Sequence, residues 1–314
     1  MNAKSTLYWS SFTTYEACPQ EFLWSYGWDG IDLGYGDGKR RPVPEKRSMH
    51  HPAMGTVIQA LIEKMYNEGM LEDPKNLSAN LLAKVEAEWD RTVAKSYFWV
   101  DYEEAKQSRE QLLETCREGI RGFLKTMVAH KLHSLTYAQA EVPLIGWINK
   151  WVGVGGKPDV VINREDTGIS ILDGKNTLKK MAGVDPDQLR WYAMCFKLSY
   201  KVYPDRIGFL WYRFPHGMKT NDPETGELTT ETGLTWVPFT VQEVRDLAQR
   251  AIEVRDGMRF GKFKATPVAK HCQYCDYESI CPERQAQRQA NAEKRPSKKM
   301  EELSTGGGFV DLDL

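Results

Sequence analysis

No apolar run in the 314-residue chain approaches the ~18 residues that a membrane-crossing helix needs, so a transmembrane helix is not expected. Met1 to Thr6 is polar and carries no apolar segment of the secretory-signal kind. The compartment this predicts is a reducing cytoplasm, or the host cytoplasm for a phage-encoded chain. Basic excess is absent too. The formal net charge is −1, so the molecule as a whole has no basic signature for nucleic acid, although a local basic channel fits within a neutral total. Two basic runs stand out: Lys39, Arg40, Arg41, Lys46 and Arg47, then Arg284, Arg288, Lys294, Arg295, Lys298 and Lys299. Both read as solvated faces or tails. There is no repeat at a 20–50 residue period, which excludes a solenoid. No G-x-x-x-x-G-K-[ST] phosphate loop occurs, which excludes a helicase motor. What is present, 41% hydrophobic and 27% charged residues, is ordinary for a globular protein.

Cysteine is scarce and unevenly placed. Of six, Cys272, Cys275 and Cys281 form a C-x2-C-x5-C cluster, and Cys18 stands alone before Pro19. In a reducing compartment such residues read as metal ligands or buried thiols before disulfides. Three thiols are one short of the four that a structural zinc or an iron–sulfur cluster takes. Cys18 completes the set if the fold brings the two regions together. Cys116 and Cys195 lie in helical segments and read as buried thiols.

Hydrophobic periodicity predicts a short aromatic-faced helix after Ser10, with Phe12, Tyr15, Phe22 and Trp24 inward. A loop follows over 27–51. Helices are expected over 52–67, 76–94 and 102–131. Strands follow over 138–145, 150–163 and 168–172, then a helix over 186–198. Further strands are expected over 207–214 and 233–239, with a polar hairpin loop between them, and a helix over 241–258. From about Gln285 the chain turns polar until Phe309 to Leu314, an acidic-hydrophobic tip suited to docking on a protein partner.

The chemistry concentrates in Gly156-Lys157-Pro158-Asp159 and Asp173-Gly174-Lys175. Carboxylates at the ends of neighbouring strands can share a hard divalent cation. A lysine two residues beyond the second carboxylate shares its face of the strand. There it can orient a water or stabilise charge on a phosphate. Glu141 is a further carboxylate nearby in sequence order, and His271 a minor alternative ligand beside Cys272.

These motifs resemble, in order, the RecB-like iron–sulfur branch of the PD-(D/E)xK nuclease superfamily, which includes AddB-type nucleases and CRISPR-associated four-cysteine exonucleases. The matching elements are Tyr15-x-x-Cys18-Pro19-x-x-Phe22, Gly156 to Asp159, Asp173 to Lys175, Gln188-x-x-x-Tyr192 and the three late cysteines. The resemblance implies an α/β fold with a restriction-endonuclease-like core: a mixed central sheet flanked by helices, a helical insertion over about 52–135, and an iron–sulfur staple joining the N- and C-terminal regions. It implies a nuclease domain over 1–282 and a flexible tail over 283–314. Asp159, Asp173 and the Gly174 carbonyl would hold Mg2+ or Mn2+, Lys175 would orient water, and Gln188 and Tyr192 would contact DNA. Cys18, Cys272, Cys275 and Cys281 would hold a 4Fe–4S cluster, with zinc as the alternative. The family's metal-binding histidine is replaced by Gln59, whose amide oxygen can still meet a hard metal.

The expected activity is hydrolysis of DNA phosphodiesters from single-stranded ends, in phage or bacterial recombination or replication. The rivals are a catalytically weakened or inactive iron–sulfur DNA-binding or assembly protein, and a zinc-stapled structural protein that recruits a partner through its tail.

Overall fold

The computed structural model describes residues 6–28, 43, 48–95, 99–133, 137–181, 184–221 and 226–293. The basic run Lys39 to Arg47, the basic residues Lys294, Arg295, Lys298 and Lys299, and the tip Phe309 to Leu314 lie outside the described residues. The chain divides into two compact units. One comprises Met1–Thr13 and Lys46–Gly261, the other Thr14–Glu45 and Lys262–Leu314.

Strand β1 (Thr6–Tyr8) leads into helices α1 (Trp9–Ala17) and α2 (Pro19–Tyr26), which break at Cys18. Pro19 sits at a first helical position, where a missing N–H costs nothing. In the larger unit, Trp9, Phe12 and Trp191 form one aromatic cluster with ring centroids 4.9–5.9 Å apart.

A helical block follows: α3 (His50–Asn67), α4 (Leu77–Ala83), α5 (Val85–Val93), α6 (Tyr102–Ala105) and α7 (Arg109–Ala129). Met54, Ile58, Leu61, Ile62 and Met65 recur every three to four residues along α3. They are buried against Leu81, Val85, Trp89, Leu112, Ile120 and Phe123. Each such side chain contributes about 1.5–3 kcal/mol by leaving water. Two of the expected helices are each split. The first is interrupted at Lys84. The second restarts at Ser108, because Lys106 takes a left-handed conformation (φ 53°) and Ser108 with Gln111 closes a capping box. Inside this block Glu88 is buried between two cations, 2.7 Å from Lys64 Nζ and 2.5 Å from Arg91 Nη2.

The strands are β2 (Tyr137–Ala140), β3 (Leu144–Asn149), β4 (Val152–Gly156), β5 (Val160–Arg164) and β6 (Gly168–Lys175), followed by helix α8 (Asp187–Tyr200) and strand β7 (Arg206–Trp211). Then come β8 (Lys219–Asn221), β9 (Leu228–Thr230), β10 (Leu234–Val237) and helix α9 (Val241–Arg259). The main sheet has the order β10-β7-β6-β5-β2, with β6 and β7 parallel and the other pairs antiparallel. The parallel pair requires a crossover, which α8 supplies. A second sheet, β1-β4-β3, pairs β1 and β4 in parallel, and β8 with β9 fills the expected polar loop with a hairpin. The result is mixed α/β with a mixed sheet, consistent with a restriction-endonuclease-like fold.

Two expected strands are each cut in two. Ala138–Ile145 breaks at Glu141, which is left-handed at φ 55°. Lys150–Asn163 breaks at Lys157-Pro158-Asp159, where Pro158 has no N–H for a ladder. At that break the chain leaves the smaller sheet and enters the larger one.

The other unit contains the last turn of α1, α2, and helices α10 (Ala269–Cys272) and α11 (Pro282–Glu293). Tyr15, Phe22, Trp28 and Phe263 pack as a ring cluster, and Trp24 meets Tyr277 edge-on. Among the described residues no helix is long and apolar enough to cross a membrane.

Candidate active site

Register positions the acidic pair. β5 and β6 run antiparallel with Val160 opposite Leu172, so Asp159, just before β5, and Asp173 come at the same end of the pair. The Gly174 N–H donates to Asp159 Oδ2 at 2.5 Å, which ties the two strand ends together. Alternation along β6 turns Lys175 to the face of Asp173, where its Nζ lies 2.6 Å from Asp173 Oδ2. That approach is a close ion pair.

Helix α8 contributes Gln188 and Tyr192, one turn apart on one face. Gln188 Oε1 accepts from Lys175 Nζ at 2.8 Å, and its Nε2 donates to Asp173 Oδ1 and to the Tyr192 hydroxyl, each at 3.2 Å. Gln188 therefore joins the lysine, the second carboxylate and the phenol. The Tyr192 ring is buried over Gly156, where an added Cβ would come within 2.8 Å of ring carbon Cδ1. Gly156 is small because Tyr192 covers it.

Helix α3 brings Gln59 to the same place. Its Nε2 donates to the Asp159 backbone carbonyl at 3.2 Å, and its Oε1 accepts from the Tyr212 hydroxyl at 2.9 Å. The Glu141 N–H also donates to that carbonyl at 3.2 Å. Glu141 itself pairs with Lys157 at 2.5 Å, and this bond holds the lysine ammonium above its usual range. Two residues that sequence reasoning passed over thus belong to the neighbourhood. Lys157 sits inside the G-x-x-D motif, which is a signal of sorts. Tyr212 follows an apolar strand and reads as core.

The electrostatics are unusual. Burial, then the neighbouring Asp173, push the Asp159 carboxyl well above the ordinary range, against the pull of the Gly174 N–H. Burial also raises Asp173, with Lys175 opposing. A buried and a half-buried carboxylate that share one lysine, paired with Asp173, are short of positive charge. A hard divalent ion such as Mg2+ or Mn2+ fits this oxygen donor set and that deficit. Among the described residues no three His, Cys, Asp or Glu side chains converge as ligands for one ion, neither at this acidic site nor among the cysteines.

In the smaller unit, Cys18, Cys272, Cys275 and Cys281 line one pocket together with Glu21, Trp24, His271, Glu278 and Arg284. His271 Nε2 lies 2.5 Å from Glu21 Oε2. Burial pushes the Cys275 thiol up to about 12, so without a cation it carries its proton. Cys116 and Cys195 are buried in α7 and α8, remote in role from this pocket. Of Trp9, Phe12, Tyr15 and Trp24, aromatics that could offer stacking surface to bases, the last three are buried. They serve as core.

A family model, the PD-(D/E)XK nuclease superfamily, matches residues 9–282. No curated protein matches the chain. Among solved structures it is similar to one titled "Crystal structure of SSO0001", at 13% identity over 77% of this chain and 89% of that chain, with a TM-score of 0.30. The family match spans every site residue described above, and the superfamily's members are nucleases that generally use Mg2+ or Mn2+. The chain belongs to the PD-(D/E)XK nuclease superfamily.

Proposed function

We propose that the chain is a Mg2+- or Mn2+-dependent DNA exonuclease of the RecB-like iron–sulfur branch, acting on single-stranded ends in the cytoplasm during phage or bacterial recombination or replication. The observation that carries this reading is the charge-deficient pair of half-buried Asp159 and buried Asp173 with Lys175 fixed beside it. Asp159, Asp173 and the Gly174 carbonyl hold the ion. When bound, it polarises the scissile phosphate and lowers the pKa of water.

The protein's own groups do the rest. Lys175 is held by Gln188 Oε1 and Asp173, so its ammonium is already oriented toward water and the charge developing on phosphate. Gln188 and Tyr192 guide the substrate strand past the carboxylates. The nuclease domain extends over 1–282; the stretch 283–314, expected as a flexible tail, begins instead with helix α11 (Pro282–Glu293), and its end carries a partner-docking tip.

The four cysteines hold a 4Fe–4S cluster that staples early and late segments. Support comes from their shared pocket and from their order around the nuclease motifs. Metal binding and local folding are coupled, so a bound cluster would draw the four thiols into one ligand set. A visible absorption spectrum of anaerobically purified protein separates iron–sulfur from colourless zinc.

One observation favours a second reading, a catalytically weakened DNA-binding factor: the Gln59 amide is already engaged at both ends. The two readings part on labelled single- and double-stranded DNA with Mn2+, comparing wild type with Lys175→Ala. Cleavage by wild type and its loss in the variant support the enzyme. Absence of metal-dependent cleavage on every substrate defeats it.

A further inference from the structure

Gln59 has one orientation available. A backbone carbonyl only accepts, so the amide nitrogen must face the Asp159 carbonyl, which leaves Oε1 for the Tyr212 hydroxyl. Tyr212 is buried, and its hydroxyl is the donor to that oxygen. Its hydroxyl reaches this spot because residue 174 is glycine: any Cβ there would overlap the phenolic oxygen. The Tyr212 backbone N–H donates in turn to the Lys175 carbonyl at 3.1 Å. One residue is therefore tied to the end of β6, packed into the gap at Gly174, and bonded through Gln59 to the main chain of Asp159.

We propose that Tyr212 is a positioning residue: through Gln59 it fixes the main chain that carries Asp159, and with it the spacing of the two carboxylates toward a divalent ion. The inference rests on the metal-dependent reading above. It assigns Gln59 to bracing, with no direct place among the metal ligands. Asp159 is then held at both ends, its carbonyl by Gln59 and Glu141 and its carboxylate by the Gly174 N–H.

The test is Mn2+ binding to the full chain, followed by electron paramagnetic resonance, for wild type, Tyr212→Phe, Gln59→Met and the double variant. Thermal melting is recorded alongside to show that each is folded. Tyr212→Phe and Gln59→Met should each weaken Mn2+ roughly tenfold, the size of effect typical of groups that orient ligands. The double variant should be no weaker than the worse single, because both substitutions break one chain of bonds. Wild-type affinity in Tyr212→Phe, or additive losses in the double variant, would overturn the role of Tyr212 while leaving the metal site standing. No Mn2+ binding by wild type would overturn the metal reading itself, and this inference with it. Should Tyr212→Phe fail to fold, Gln59→Met decides alone, and unchanged affinity there sinks the proposal.

Discussion

Glu88 and Asp173 are equally shielded from solvent, each 3% exposed, yet they sit in opposite electrostatic situations. Around Glu88 the helical block has gathered two cations. Burial pushes its carboxyl up, but hydrogen bonds from Arg91 and Lys64 outweigh that and hold it below the usual range. Around Asp173 the sheet has gathered one lysine and a second carboxylate, and the net direction is upward. A buried charge that only holds structure is matched by its neighbours. The mismatch at Asp159 and Asp173 is tolerated in a place where a cation can be recruited, which is why the pair and not Glu88 marks the candidate site.

The largest way to break this contrast is chemical. Lys175→Ala should lower cleavage of labelled DNA roughly 10³-fold, and Asp173→Asn should abolish it. The corresponding insult to Glu88 is structural: Lys64→Met with Arg91→Met leaves a buried carboxylate unmatched and should cost about 3–5 kcal/mol in urea unfolding at pH 7.

A smaller effect separates the sites by ligand. Mn2+ at a hundred times its dissociation constant should stabilise wild type by about 2.7 kcal/mol and leave the melting of Asp173→Asn nearly unmoved. The smallest effect is one of sign. In the metal-free protein the folded state holds protons on Asp159 and Asp173 more tightly than the unfolded chain does. Their contribution to stability is full below about pH 3.9 and is lost as pH rises through the raised folded values. Glu88 runs the other way, contributing above the unfolded Glu range and losing that contribution as pH falls through its lowered folded value. Asp159→Asn should therefore melt above metal-free wild type at pH 8, by on the order of 1 kcal/mol, with the gap closing toward pH 4. An equal gap at both pH values would show that the pair is not strained.

Much of this site was legible because its residues are chemically odd for where they lie. Aspartates flanking the apolar strands Val160–Ile162 and Ile169–Leu172, with a lysine two places on, do not suit a plain core. Helix positions followed from apolar spacing, as along α3. Tyr212 stayed hidden because it extends the apolar run Ile207–Trp211 and only the fold shows what its hydroxyl meets. The break near Glu141 was signalled by Pro143, which cannot donate to a strand ladder, although the positive φ of Glu141 itself had no signal because glutamate rarely adopts it. The helix restart at Ser108 did have a capping signature, Ser108 with Gln111, that outweighed the continuous apolar pattern.

The smaller unit is assembled from two distant stretches of chain, Thr14–Glu45 and Lys262–Leu314. During synthesis its first half emerges long before its second. Roughly 250 residues separate Cys18 from Cys272, and at about 5–20 residues per second they take on the order of tens of seconds to be made. For that interval Cys18 is a thiol without its pocket, open to oxidation or to capture by a stray metal. Completion of this pocket is thus a matter of timing, since its four thiols can share it only after Cys281 has left the ribosome.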